Sequence, residues 1–134
     1  MKFLLNLFSF NTYTISPESL KNQFQDIQTR EVEINNPFDY NHSIKYFGNS
    51  IRKLEVVDKN GKKLRLENSP SLEMRITIKK GKRYVVYFDT ITIENNILTG
   101  DRSRFLPNLK KEIPLENIIK IEIQNGRKHF HYKK

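Results

Sequence analysis

The sequence contains no cysteine, no alanine and no tryptophan. Without cysteine it has no disulfides, no thiolate zinc site and no cysteine nucleophile. Alanine is the best helix former, and it is missing, whereas 27 of the 134 residues are the β-branched isoleucine, valine and threonine. Fourteen asparagines, five glycines and five prolines supply turns. The composition therefore predicts short strands joined by tight turns.

Long hydrophobic runs are also lacking. The mean hydropathy is −0.67 and 29% of the residues are charged, which argues against an integral membrane protein. The apolar fraction of 37% suffices for one core, so the chain is predicted to be folded. A length of 134 residues fits a single domain spanning residues 1–134. For location, the cell envelope and the cytoplasm both stay open.

The first residues have two readings. Met1 to Phe10 place one cation before a short apolar run, as in a secretory signal, but Asn6 interrupts the run and no small-x-small cleavage site follows. The alternation of Phe3 and Leu5 instead fits a first strand or a buried arm. Residues 1–15 are therefore an N-terminal arm or a targeting remnant.

Residues 16–50 carry the signals of one helix, a short strand and an aromatic loop. Ser16 is a candidate N-cap and Pro17 a candidate first helical residue, which predicts a helix near residues 17–26. Alternation then predicts a strand over residues 29–34. Aromatic residues mixed with turn formers predict that residues 35–50 form a loop over the core edge.

Residues 51–126 are predicted to be a β-rich body. Tight turns are expected at Asn60-Gly61, at Gly81 and at Asn95-Asn96. The apolar residues expected to face inward fall at even positions up to residue 88 and at odd positions after it. A bend or bulge is therefore expected near Asp89-Thr90. A basic loop over residues 101–112 precedes one helical turn.

The chain is expected to end in a strand and a basic tail. The last strand, residues 118–124, should place Ile119, Ile121 and Ile123 on one face, and residues 127–134 should form the tail. The predicted fold class is mainly β with a minor α component: a small antiparallel sheet or an SH3-like, partly open barrel with one N-terminal helix.

No complete catalytic motif is present. The gaps between the five glycines exclude both G-x-G-x-x-G and G-x-x-x-x-G-K-[ST], and neither H-E-x-x-H nor G-x-S-x-G occurs. Asp39, Asp89 and Asp101 are isolated acids beside predicted turns, where aspartate commonly accepts from backbone N–H groups. We therefore predict no enzyme, no catalytic residue and no cofactor.

Two histidines share one face of the tail, His129 and His131. A third ligand at suitable spacing is lacking and the neighbouring side chains are cations, so no metal site is predicted. A metal-assisted hydrolase using both histidines is a minor alternative.

Positive charge is concentrated in the second half. The net charge is +9; residues 1–67 hold 10 basic and 8 acidic side chains, whereas residues 68–134 hold 14 and 7. Such a surplus suits an anionic partner, either nucleic acid or an anionic membrane surface. An AT-rich genome would also produce lysine-rich composition, and lysines in turns also protect sheet edges.

The basic residues fall on turns and the tail, and together they predict an electropositive rim with aromatic side chains available for stacking. The candidate anion-binding or nucleic-acid-binding residues are Lys79, Lys80, Lys82, Arg83, Arg102, Arg104, Lys110, Lys111, Arg127 and Lys128. The candidate stacking residues are Tyr84, Phe105 and Phe130.

Two segments near the C-terminus carry a family resemblance, Ile93 to Gly100 and Ile113 to Ile123. They resemble small β-rich domains of bacterial envelope lipoproteins, in which a proline-containing turn before the last strand closes an SH3-like barrel. The resemblance implies an envelope domain and no catalytic residues. Those lipoproteins carry a lipidated cysteine, which this sequence lacks. Similar closures occur in RNA-binding SH3-like barrels.

Two functions from different classes follow. The first is a non-catalytic binding or structural module, associated with the envelope. The alternative is a small β-barrel that binds nucleic acid through its basic rim. A protein partner that pairs with an exposed edge strand is a further candidate.

Overall fold

The computed structural model describes residues 12–106, 109–126 and 130–133. Within these ranges the chain forms one α-helix, α1 (Pro17–Gln23), and two 3-10 turns, Phe88–Thr90 and Leu115–Asn117. The strands are β1 (Thr12–Thr14), β2 (Thr29–Asn35), β3 (Ser43–Asn49), β4 (Lys53–Val57), β5 (Lys63–Glu67), β6 (Leu72–Ile78), β7 (Arg83–Tyr87), β8 (Thr92–Glu94), β9 (Ile97–Asp101), β10 (Lys110–Pro114) and β11 (Ile118–Asn125).

The strands form three antiparallel sheets. The largest has six strands in the order β5-β4-β1-β11-β6-β7, the second is β10-β9-β8, and the third pairs β2 with β3. In the described ranges none of the sheets closes on itself. The mainly β prediction is confirmed, in its form as open antiparallel sheets.

One core joins the six-stranded sheet to α1 and to the three-stranded sheet. Alternate residues of β6 and β11, such as Met74 and Ile123, are buried on the inner face of the six-stranded sheet. Leu20 and Phe24 of α1 belong to the same core, and the Phe24 and Phe88 rings meet edge to face with centroids 6.0 Å apart. In the described helical residues no segment is long and apolar enough to cross a bilayer.

The predicted turns are confirmed. Gly61 and Gly81 have φ of +82° and +84°, and Asn95 and Asn96 have φ of 52° and 62°. This left-handed region favours glycine and tolerates asparagine, so these residue types predict tight hairpins. The predicted bend after residue 88 is the first 3-10 turn.

The predicted helix is confirmed at its start and shorter at its end. The Oγ of Ser16 accepts the N–H of Ser19 at 3.1 Å, as the N-cap prediction requires. The helix ends at Gln23, three residues before the predicted end, and the amide side chain of Gln23 bonds to the backbone N–H and C=O of Glu55 in β4. Asp26 has φ of 62°, which stops the helix.

Three sequence predictions are wrong, and they concern residues 43–49, Ile119 and the segment 130–133. Residues 43–49 form strand β3 and not a loop. This strand pairs with β2, and its alternate residues Ile44, Tyr46 and Gly48 face the interior. Ile119 is 59% exposed, since a register shift between Ile118 and Lys120 turns it outward. Residues 130–133 are not a separate basic tail, because they pack against the two-stranded sheet.

The end of the chain packs against the two-stranded sheet. Phe130 is buried with Val32 and Ile34 in a second, smaller core, and Tyr132 forms an antiparallel bridge with Ile34. Backbone bonds from Asn35 to His131 and from Lys133 to Glu33 hold the segment there. The aromatic residues Phe130 and Tyr132 therefore anchor a segment that was predicted, from its basic composition, to be a tail.

Candidate anion-binding surface

The structure brings together part of the predicted basic rim around one tyrosine. Lys111 places its Nζ 4.2 Å from the centroid of the Tyr84 ring, and the Cζ of Arg102 lies 6.0 Å from the same centroid. Arg83 precedes Tyr84 in β7. We call these four residues the Tyr84 surface. Two sheets contribute to it, so its cations converge through the fold and not through sequence proximity alone.

Gly100 explains why β9 and β10 reach β7 here. A Cβ on Gly100 would lie 3.0 Å from the Cβ of Val86, which shows that β9 crosses β7 at close range. Lys111 pairs directly opposite Gly100 in the sheet. Arg102 directly follows the end of β9 at Asp101, and Arg102 and Lys111 both face the Tyr84 ring.

The Tyr84 surface is electropositive. Arg83 and Arg102 are exposed, and Lys111 and Tyr84 are half-buried. No ion pair joins its three cations to an acidic residue in the described part of the chain. Of the described residues that line the adjoining groove, Glu73 is the one acidic residue. The cations are therefore free to meet an anionic ligand, and contact with the Tyr84 ring holds Arg102 and Lys111 in place.

A groove of about 370 Å³ runs beside β7. Residues 83–87 form one wall, and Glu73 and Arg102 complete the lining. The groove therefore combines the outer edge of a strand with cations of the Tyr84 surface.

The lysines of the Gly81 turn lie next to this surface in the chain. Lys79, Lys80 and Lys82 are exposed and lead directly into Arg83. The turn is held by a bond from the N–H of Lys79 to the C=O of Asn117 at 2.9 Å. Lys110 is different, because its Nζ is 2.9 Å from the Oδ1 of Asp101 and its charge is paired.

The prediction that Arg104 belongs to the rim is wrong. Its side chain is 1% exposed, and its Nη2 lies 2.8 Å from the Oδ1 of Asp89, which is equally buried. The guanidinium lies over two rings, 4.0 Å from the centroid of Tyr87 and 4.5 Å from that of Tyr46. An external ligand cannot reach this arginine.

Asp89 is a buried acceptor, and the prediction that it satisfies backbone groups of a turn is wrong. It accepts the hydroxyl of Tyr132 at 3.0 Å and also the hydroxyl of Tyr46. Burial, reinforced by the adjacent Asp89 carboxylate, raises the pKa of Tyr46 and of Tyr132 far above 10, so both hydroxyls stay protonated as donors. We call Asp89, Arg104, Tyr46, Tyr87 and Tyr132 the Asp89 cluster. It joins β3 and the segment 130–133 to the first 3-10 turn.

The two predicted stacking phenylalanines have different fates. Phe130 is buried and meets Tyr87 edge to face at 6.3 Å, so its predicted role in ligand stacking is wrong. Phe105 is exposed, and its ring centroid is 5.8 Å from that of Phe38. Phe38 is 84% exposed and was not predicted as part of a site, because nothing in its sequence context links it to residue 105.

Some predictions fall outside the described residues. They concern Arg127, Lys128, His129 and the first ten residues of the chain. Among the residues that are described, no group of three or more histidine and acidic side chains is placed to hold a metal ion.

Comparison with known proteins adds no assignment, because no family model, no curated protein and no solved structure matches this chain.

Proposed function

We propose that this chain is a non-catalytic binding module that holds an anionic polymer at the Tyr84 surface. The observation that supports this most directly is the approach of Lys111 and Arg102 to the Tyr84 ring, at 4.2 and 6.0 Å, and the exposed Arg83 precedes Tyr84 in β7. Arg102 and Lys111 hold two positive charges at one ring, and an anion bound between them relieves their mutual repulsion. The resemblance of residues 93–100 and 113–123 to envelope lipoprotein domains supports a place at the cell envelope.

Electrostatic attraction of this kind weakens with salt. Each phosphate neutralised on a single strand contributes about 0.7 to the slope of log affinity against log salt. Contacts from Arg83, Arg102 and Lys111 alone therefore predict a slope of about −2 for an oligonucleotide. Contacts from the lysines of the Gly81 turn would steepen it.

The test is a binding titration with two labelled probes, polyglutamate and a single-stranded oligonucleotide, from about 50 to 200 mM salt. The double variant Arg102→Ala, Lys111→Ala should lose at least tenfold in affinity for the probe that binds. The double variant Lys63→Ala, Arg65→Ala is the matched control, because it also removes two cations and both residues are exposed on β5, at the opposite edge of the six-stranded sheet. Equal affinity of the two double variants, or no binding of either probe, would refute the proposal.

The second candidate function is binding of single-stranded nucleic acid. The exposed Phe38 and Phe105 rings favour it, since bases stack on such rings. In that case Phe105→Ala should weaken oligonucleotide binding at least threefold and leave polyglutamate binding unchanged. An oligonucleotide affinity that is the same with and without the Phe105 ring would remove this candidate.

A further inference from the structure

We propose that an extended acidic peptide adds to β7 as a seventh strand of the six-stranded sheet. This inference rests on the proposed function, because it uses the cations of the Tyr84 surface. It goes further in naming the chemical class of the partner and the backbone groups that bind it.

Among the described strands, β7 is the last of its sheet and has β6 on one side only. The N–H of Ile78 donates to the C=O of Lys82 at the hairpin, which fixes the ladder's alternation. Counting from that pair, Tyr84 and Val86 bond to β6, whereas Arg83 and Val85 direct their N–H and C=O groups away from it. Within the described ranges no backbone group bonds to the free side of Arg83 or Val85.

The free edge is reachable by another chain. Val85 is 43% exposed although it is a β-branched apolar residue in a strand. The groove beside β7 gives an added strand room next to Arg83 through Tyr87. Unpaired strand edges of this kind are the usual templates for strand addition by peptides.

The charges decide which chain fits. A second copy of this protein, pairing β7 with β7, would bring two sets of Arg83, Arg102 and Lys111 together, and each copy carries a net charge of +9. A nucleic acid could meet the cations, but its phosphates are acceptors and cannot bond to the C=O groups of Arg83 and Val85. An acidic peptide supplies both carboxylates and backbone donors.

The peptide's side-chain pattern follows from the two faces of the strand. Tyr84, with Arg102 and Lys111 facing it, lies on the inner face of the sheet, whereas Val85 lies on the outer face. A bound peptide should therefore place glutamates on the inner face and apolar residues opposite Val85. In that register the amides of the apolar residues point toward β7 and those of the glutamates point away.

The experiment uses a labelled peptide of four Glu-Val repeats and two N-methylated versions of it. Methyl groups on the valine amides should reduce affinity at least tenfold, because these amides bond to β7. Methyl groups on the glutamate amides should change affinity less than threefold. The two modified peptides have the same charge and composition, so they are matched controls for each other.

The outcomes separate this inference from the proposed function. If both methylated peptides bind like the parent, while Arg102→Ala with Lys111→Ala still weakens binding, strand addition is wrong and the anion-binding module stands. If only the oligonucleotide binds, or if size-exclusion chromatography shows a dimer that the peptide does not disrupt, the acidic peptide is the wrong occupant. If no anionic probe binds at all, both proposals fail together.

Discussion

Arg102 and Arg104 are two residues apart and should respond oppositely to the same replacement. Arg104→Met removes the partner of Asp89, whose side chain is 1% exposed and, among the described residues, would keep only its two tyrosine donors. Removing one member of a buried ion pair costs about 3 to 5 kcal/mol. Loss of the contacts over Tyr87 and Tyr46 adds to this cost, and the packing of methionine offsets part of it. We expect a net loss of about 4 kcal/mol of unfolding free energy.

Urea unfolding followed by circular dichroism measures this loss. For a small domain with a slope near 2 kcal/mol per molar urea, the midpoint should fall by about 2 M. Arg102→Met should change the unfolding free energy by no more than about 0.5 kcal/mol, since its side chain is exposed. Adding Asp89→Asn to Arg104→Met should recover stability, because it removes the buried charge.

The two variants should rank oppositely in binding: Arg102→Met should lose more affinity than Arg104→Met. At low temperature, where Arg104→Met is still folded, it should keep its polyglutamate affinity, whereas Arg102→Met should lose at least threefold. If the unfolding free energy of Arg104→Met lies within about 1 kcal/mol of the wild-type value, the buried ion pair does not contribute the expected stability. If Arg102→Met is the more destabilised variant, the assignment of the two arginines is reversed.

Three further predictions concern the interior. Burial raises the pKa of Tyr46 above 10, so the unfolded chain loses this proton first, and stability present below pH 10 should fall by about 1.4 kcal/mol per pH unit above it. Tyr46→Phe should reduce that slope in urea unfolding, and an unchanged slope would contradict the assignment. Gly100→Ala should lower the unfolding free energy by about 1 to 3 kcal/mol, because the new Cβ meets Val86 at 3.0 Å; a thermal midpoint equal to the wild type's would argue against this packing. Asn49→Ala should cost about 2 kcal/mol, since its amide donates to the buried C=O groups of Phe88 and Ile91, and calorimetry showing no loss would exclude that role.

Local signals in the sequence predicted much of the fold. The Ser16-Pro17 start of the helix, the Asn60-Gly61 turn and the alternation of β6 are set by neighbouring residues, and the structure has all three. The bend after residue 88 was predictable because the alternation of apolar residues shifts by one position there. Strand order was not predictable, because β1 lies between β4 and β11, far apart in sequence.

The candidate site was predictable only in part. Charge and turn signals selected Arg83, Arg102, Lys111 and Tyr84, which the fold brings together. The same signals also selected Arg104, which is buried. No local sequence pattern indicates that Arg104 forms an ion pair with Asp89 in the interior. Phe105 and Phe38 meet across 67 residues of chain, so no local pattern could have paired them.

Both proposals require an anionic partner to bind at β7 and the Tyr84 surface. The most direct test is an NMR titration of the isotopically labelled protein with the Glu-Val peptide, following each backbone amide. We expect the largest shifts at Arg83 and Val85, whose N–H groups gain partners, followed by Arg102 and Lys111. Shifts centred on β5, with Val85 unmoved, would contradict it.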